Sequence, residues 1–335
     1  MRVLLISMPW DALPLLDDGG PQRPRIERQA VTRELDGITC YEVAARVALE
    51  RVPAAAELPY AWAASPYRGC TAGCRYCAAR RGHRYLGLDA GGDFDSRIVV
   101  KTNLADRLRR ELAGPRWAGE AVALGLTGDC YQGAEETYRL MPQIIRVLGE
   151  AGNPFTVLTK SPLILRDVPE LREAGKLTQV RAAVSVGFVD EKIRRGVEPG
   201  AAGAQRRLEV CAALNEAGVP CEVLMAPILP LITDSADHLR ATVRRAAEAG
   251  AVAITPVVLR LPAGAREWFM VWLEREHPGL VPRYAALYGK SPAAPPEYRA
   301  GIAAQVRELA EVYGIGRQAR RWKRRRSPAR QLSLV

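Results

Sequence analysis

The run Ser65-Pro-Tyr-Arg-Gly-Cys-Thr-Ala-Gly-Cys-Arg-Tyr-Cys-Ala-Ala-Arg80 places Cys70, Cys74 and Cys77 within eight residues. Thiolates are the soft ligands that iron–sulfur clusters select, and a cubane ordinarily takes four of them. Three local cysteines therefore predict a 4Fe-4S cluster with one iron open to another ligand. A structural zinc site of three cysteines and His83 is the alternative. Such sites usually build themselves from two C-x2-C pairs, and no second pair is present.

Working outward from this loop, short apolar or β-branched runs alternate with amphipathic stretches, the pattern of βαβ units and a parallel sheet. Strands are expected at 61–64, leading into the cysteine loop, and at 121–126, 155–159, 180–186, 221–226 and 252–257. Helices are expected at 104–112, 135–151, 205–217, 265–276 and 297–313. Six strands predict a partial (β/α)6 TIM-type barrel, whose reactive groups come from loops at the C-terminal strand ends. The chain divides as an N-terminal extension (1–59) with a helix from Glu42 to Arg51, a barrel (60–260), a C-terminal helical cap (261–316) and a basic tail (317–335). Residues 83–102, with Gly87, Gly91 and Gly92, read as an insertion after the cysteine loop.

The 335 residues can bury a core of barrel size. The N-terminal Val3-Leu-Leu-Ile-Ser-Met-Pro-Trp10 is too short for a membrane span and lacks a cleavage pattern. Seven cysteines, an odd number, make no disulfide framework, and a reducing cytoplasm is expected. The formal charge is +11, but Arg317 to Arg330 holds eight Lys or Arg and no acid, leaving 40 basic against 37 acidic residues, or +3, in residues 1–316. The run Arg320-Arg-Trp-Lys-Arg-Arg-Arg326 has two readings, a solvated end or a phosphate-binding arm with Trp322 stacking on bases.

The cysteine loop resembles that of the spore photoproduct lyase-like branch of the radical S-adenosylmethionine (SAM) superfamily. The branch reads N-P-Y-R-G-C-x-H-x-C-x-Y-C-Y-A-R; Pro66, Tyr67, Arg68, Gly69, the three cysteines, Tyr76, Ala79 and Arg80 match, while Ser65, Ala72 and Ala78 depart. A second block, T-D-P-Y-Q-P-x-E, is matched by Asp129, Tyr131, Gln132 and Glu135, with Gly128 and Cys130 departing. The resemblance implies that SAM chelates the open iron and is reductively cleaved to a 5′-deoxyadenosyl radical, with flavodoxin or ferredoxin as reductant. It implies cofactor contacts from Tyr76 to adenine, Asp129 to the SAM amino group, Lys160 to its carboxylate and Ser185 to carboxylate or ribose. Glu198 with Arg206-Arg207 resembles a segment supporting SAM, and Ala226–Pro230 with Asp234 resembles the fifth-strand loop.

The branch's hydrogen-donating cysteine aligns with Leu126, so Cys130 is the candidate substitute donor, or else a passive small residue. Dimer repair as such is not expected. The substrate is a nucleic acid to be repaired or modified, or alternatively a protein or small molecule; a metal-containing nucleic-acid-binding protein without catalysis is the third reading. Gln331-Leu332-Ser333-Leu334-Val335 resembles the Q-L-x-L-F peptide that binds the bacterial sliding clamp, with Val335 in place of the aromatic anchor.

Overall fold

The computed structural model describes residues 31–53, 60–84 and 86–316. Its larger sheet has seven strands in the order β11-β10-β9-β8-β7-β4-β3. Six of them run parallel, in chain order: β4 (Trp62–Ala64), β7 (Val122–Leu124), β8 (Phe155–Thr159), β9 (Val180–Ser185), β10 (Cys221–Ile228) and β11 (Ile254–Val258). The two-residue β3 (Glu50–Arg51) adds antiparallel to β4. Among the described residues β3 and β11 stand at its two edges, and all six expected strands are present.

The crossover helices follow from helical spacing of apolar residues. In Met141–Glu150, Met141, Ile144, Ile145 and Leu148 are all buried, the i, i+3, i+4, i+7 stripe that faces a sheet. The helix expected over 135–151 is instead two helices, Ala134–Tyr138 and Met141–Glu150, separated at Arg139, which has φ 48°. The break follows from Glu135. Its carboxylate is buried and accepts hydrogen bonds from the backbone N–H groups of Leu140 and Met141 at 3.0 Å, capping the second helix with a side chain of the first.

Parallel sheets are normally covered on both faces, but this one is covered fully on one. Along β10, Cys221, Val223 and Met225 are fully buried while Glu222, Leu224 and Ala226 are half-buried. Ala123, Leu158 and Ala183 form a separate small apolar cluster, with Tyr60, Leu126 and Leu224 packed beside them.

The N-terminal region departs from expectation. Residues 42–51 form no helix; β1 (Val31–Leu35) and β2 (Ile38–Val43) form a hairpin, followed by β3. Asp36-Gly37, both at positive φ, is the turn, a two-residue Asp-Gly signal of the kind that favours hairpins. The helix is prevented by long-range side chains. Ala45 N–H donates to Asn103 Oδ1 at 2.6 Å, Ala48 N–H to Glu111 Oε1 at 3.0 Å and Leu49 N–H to Glu111 Oε2 at 2.9 Å.

The stretch read as an insertion, 83–102, ends in β6 (Arg97–Lys101), which pairs with β2 and with β5 (Tyr67–Arg68) in a second, four-stranded sheet of order β1-β2-β6-β5. Glu50 links the sheets, accepting from Arg68 Nη2 at 2.6 Å and Lys101 Nζ at 2.7 Å. The cysteine loop therefore springs from one sheet and is braced by the other. Residues 261–316 contain the helices Ala265–Glu276, Val281–Tyr288 and Pro296–Val312.

Candidate active site

The chain leaves β4 at Ala64, crosses to the second sheet through β5, and turns at Gly69 (φ +85°) into the three cysteines. A Cβ at Gly69 would come within 2.9 Å of His83 Cε1 and Ile98 Cδ1. Cys70 and Cys74 are buried and Cys77 half-buried. The loop backbone is gripped from three sides. Gln132 donates through Nε2 to the Gly69 carbonyl at 3.0 Å and accepts from the Thr71 N–H at 3.2 Å. Gly200 N–H donates to Ala72 O at 3.1 Å, Arg75 N–H to Val197 O at 2.9 Å and Cys70 N–H to Phe94 O at 2.9 Å. Gly200 must lack a side chain, because a Cβ there would stand 2.2 Å from the Thr71 carbonyl.

Gln132 is 4 % exposed, so Gln132→Ala leaves two loop groups without partners. We expect a loss of about 1–3 kcal/mol, read as a lower urea midpoint of the metal-free protein.

Burial pushes all three thiols up, Cys74 to about 12. Each also feels another cysteine or an opposing cation: Cys74 and Cys77 act on Cys70, and Lys160 pulls Cys74 and Cys77 down. Bare, the thiols are protonated at neutral pH; a coordinating metal removes such protons outright.

His83 packs against the loop at Gly69. Its Nε2 is 2.9 Å from the Arg97 carbonyl and its ring lies edge-on to Phe94 at 5.0 Å. No three His, Cys, Asp or Glu side chains among the described residues are gathered to hold a single metal ion. Three thiols on one loop suit a cluster that offers each a separate iron better than one shared tetrahedral zinc.

Beside the loop, at the strand ends, six residues named from the sequence form one connected network. Asp129, after β7, accepts from Thr159 Oγ1 at 2.7 Å, Tyr131 N–H at 2.9 Å and Lys160 N–H at 2.7 Å. Lys160, after β8, donates through Nζ to Ser185 Oγ at 2.6 Å, and Ser185 donates to the Ala226 carbonyl at 2.8 Å. Lys160 Nζ also lies 3.9 Å from Glu198 Oε1 and 6.0 Å from the Tyr76 ring centroid. Glu198 accepts from the Tyr76 hydroxyl and, at 2.5 Å, from Arg207 Nη2. Arg207 in turn donates to the Ser185 and Ala202 carbonyls at 2.6 and 2.8 Å. Burial raises the Glu198 pKa, but Arg207 and Lys160 outweigh it and hold the carboxyl below its ordinary range.

A cleft of 470 Å³ opens here, lined among others by Thr71, Asp129, Gln132, Lys160 and Gly200. Arg206 reaches the cleft and pairs with Glu209, whereas Arg207 is buried.

Cys130 stands apart. It is 1 % exposed, belongs to the main core and points its thiol at the Leu158 carbonyl, 3.7 Å away. That position fits the passive reading rather than a hydrogen donor. Asp234 is tied to the helix Pro296–Val312 by the Tyr298 hydroxyl. The residues with no role assigned from the sequence are Gln132, Arg166, which holds Glu135 at 2.6 Å, and Arg80, fully buried beneath the loop. Gln132 and Arg80 were each signalled by a motif block, but nothing in the blocks says what either side chain does.

Residues 64–246 match the family model described as the radical SAM superfamily. The chain belongs to that superfamily. An uncharacterized protein of Mycobacterium tuberculosis (strain ATCC 25618 / H37Rv) is 44% identical over 303 residues, covering 90% of this chain and 89% of its own. An uncharacterized protein of Acidianus two-tailed virus is 29% identical over 178 residues, 52% of this chain and 58% of its own. Among solved structures, a variant of spore photoproduct lyase superposes with TM-score 0.61 at 15% identity, covering 90% of this chain and 86% of that one. Another variant, with bound AdoMet and dinucleoside spore photoproduct, gives TM-score 0.61 at 14% identity over 83% of this chain and 80% of that one. The likeness is one of fold. This radical SAM enzyme thus shares its overall fold with spore photoproduct lyase.

Proposed function

We propose that Cys70, Cys74 and Cys77 hold a 4Fe-4S cluster, that SAM binds beside it against the Asp129–Lys160–Ser185 network, and that the radical abstracts hydrogen from a nucleic acid. The cofactors supply one-electron cleavage of SAM to methionine and a 5′-deoxyadenosyl radical. The observation that carries the reading is the direct linkage of the thiol loop, through Tyr76 and Glu198, to a lysine and a carboxylate at neighbouring strand ends.

The residues have capacity left for that task. Asp129 uses three of its roughly four acceptor sites within the protein, leaving one for the SAM ammonium. Lys160 donates one hydrogen bond to Ser185, leaving N–H groups for the SAM carboxylate. Glu198 and Arg207 hold Tyr76 and Lys160 in place and are themselves buried. Leu126 occupies the inner face where the branch resemblance would put a hydrogen-donating cysteine, so the fate of the substrate radical differs from that of the lyase.

Nucleic acid is favoured by the fold shared with a protein whose structure holds a dinucleoside lesion, and by the basic run 317–330. A base inside a duplex has to be extruded to reach the strand ends. The small net charge of residues 1–316 favours the second reading, a protein or small molecule. The basic run and the clamp-like peptide Gln331–Val335 lie outside the described residues.

Anaerobic reconstitution with iron and sulfide, then dithionite and SAM, is expected to yield 5′-deoxyadenosine. Stoichiometric zinc with no cluster absorbance overturns the reading. For the substrate, DNA affinity is measured against salt with and without residues 317–335. Truncation is expected to flatten log K against log salt by about 0.9 for each phosphate that the tail no longer neutralises; an unchanged slope removes the tail as an arm.

A further inference from the structure

Arg80 takes no part in the chemistry proposed above, yet its side chain is completely buried. That is a costly place for a guanidinium unless every donor is met. Nε donates to the Cys74 carbonyl at 3.0 Å, Nη1 to Ala90 O at 3.1 Å and Gly91 O at 2.8 Å, and Nη2 to Asp95 Oδ1 at 2.7 Å. The planar group is flanked by Phe94, 4.8 Å away, and by Trp268 of the helix Ala265–Glu276, 5.0 Å away. One cation thus joins the cysteine loop, the 90–95 segment and the helix Ala265–Glu276.

Asp95 also approaches the loop itself, at Gly73. A Cβ built at Gly73 would lie 3.5 Å from Asp95 Oδ2. Arg80 and Asp95 are thus joined to each other and lie against the loop at Cys74 and Gly73.

We infer that Arg80 and Asp95 are positioning residues that set the reduction potential of the metal centre held by the three cysteines, Arg80 raising it and Asp95 lowering it. The inference rests on the cluster reading of the proposed function. An electron added to a cluster increases its negative charge, so a fixed cation nearby stabilises the reduced form and a fixed anion destabilises it. Net charge and surroundings are among the protein's means of setting such potentials. Arg80 is fully buried and the Asp95 side chain is 26 % exposed, so both charges are screened less than they would be on the open surface.

The test is an EPR-monitored redox titration of the reconstituted full-length chain without SAM, after iron and sulfide have been counted. Arg80→Gln is expected to move the midpoint to lower potential, Asp95→Asn to higher, and the double variant to fall between them. Arg80→Lys, which keeps the charge, stays closer to wild type than Arg80→Gln. Opposite shifts from the two halves of one ion pair are not produced by loosening the loop, which moves both the same way. Equal potentials in all variants, or shifts of one sign, overturn the inference.

Should Arg80→Gln fail to retain iron, Asp95→Asn and Arg80→Lys decide: an Asp95→Asn midpoint at or below wild type overturns it. A wild-type chain that binds no cluster at all is a different result. It refutes the cluster reading itself, and the inference falls with it.

Discussion

Cys74→Ala is expected to abolish 5′-deoxyadenosine formation. The thiol is 8 % exposed and sits between Gly73 and Arg75, whose N–H groups are held by Cys70 O and Val197 O. Alanine fills nearly the same space, so the loop keeps its path while one of three metal ligands disappears. Changes to groups that only support ligands typically cost 10–100-fold; loss of a ligand should cost at least about 100-fold, with iron content falling in parallel. The metal-free variant should unfold within about 1 kcal/mol of wild type, near the centre of the range for single substitutions. Cys40→Ala provides the contrast. That thiol is buried in β2 of the second sheet, and its removal should leave product formation unchanged. Product from Cys74→Ala at the wild-type level would remove the claim that this loop holds the reactive centre.

Glu198→Gln is expected to have the largest effect on stability. Glu198 is 1 % exposed and carries a 2.5 Å ion pair to Arg207, itself 2 % exposed. Breaking a buried pair leaves a cation without compensation in a poorly polarisable interior, typically at a cost of about 3–5 kcal/mol. Chemical denaturation of the metal-free protein reads this, and a loss under about 1 kcal/mol would show that the network does not hold the fold.

The pH dependence has a definite sign. Burial opposes ionisation of Glu198, but Arg207 and Lys160 outweigh it and depress the folded-state pKa. Its contribution is therefore full above the ordinary glutamate pKa of about 4.3 and is lost as pH falls through the depressed value. The wild-type advantage over Glu198→Gln should shrink below about pH 4.

The strand-and-helix alternation was legible because it is local. Apolar runs such as Phe155–Thr159 and the stripe Met141, Ile144, Ile145, Leu148 declare their period within one element. The hairpin turn Asp36-Gly37 was equally local, yet Glu42–Arg51 reads as helix. Helical propensity there is overridden by Asn103 and Glu111, which bind its backbone from about 60 residues away.

The candidate site divides along the same line. Spacing alone determined that Cys70, Cys74 and Cys77 belong together, and the resemblance to a known family singled out Asp129, Lys160 and Ser185 at the strand ends. Only the tertiary structure decided that Cys130 turns into the core, that Gln132 grips the loop 63 residues away, and that Arg80 and Asp95 pair against it. A thiol's neighbours in sequence are set by covalent bonds and can be read from the chain. Its neighbours in space are set by which buried charges and hydrogen bonds find partners when distant segments pack, and no short window of sequence contains that information.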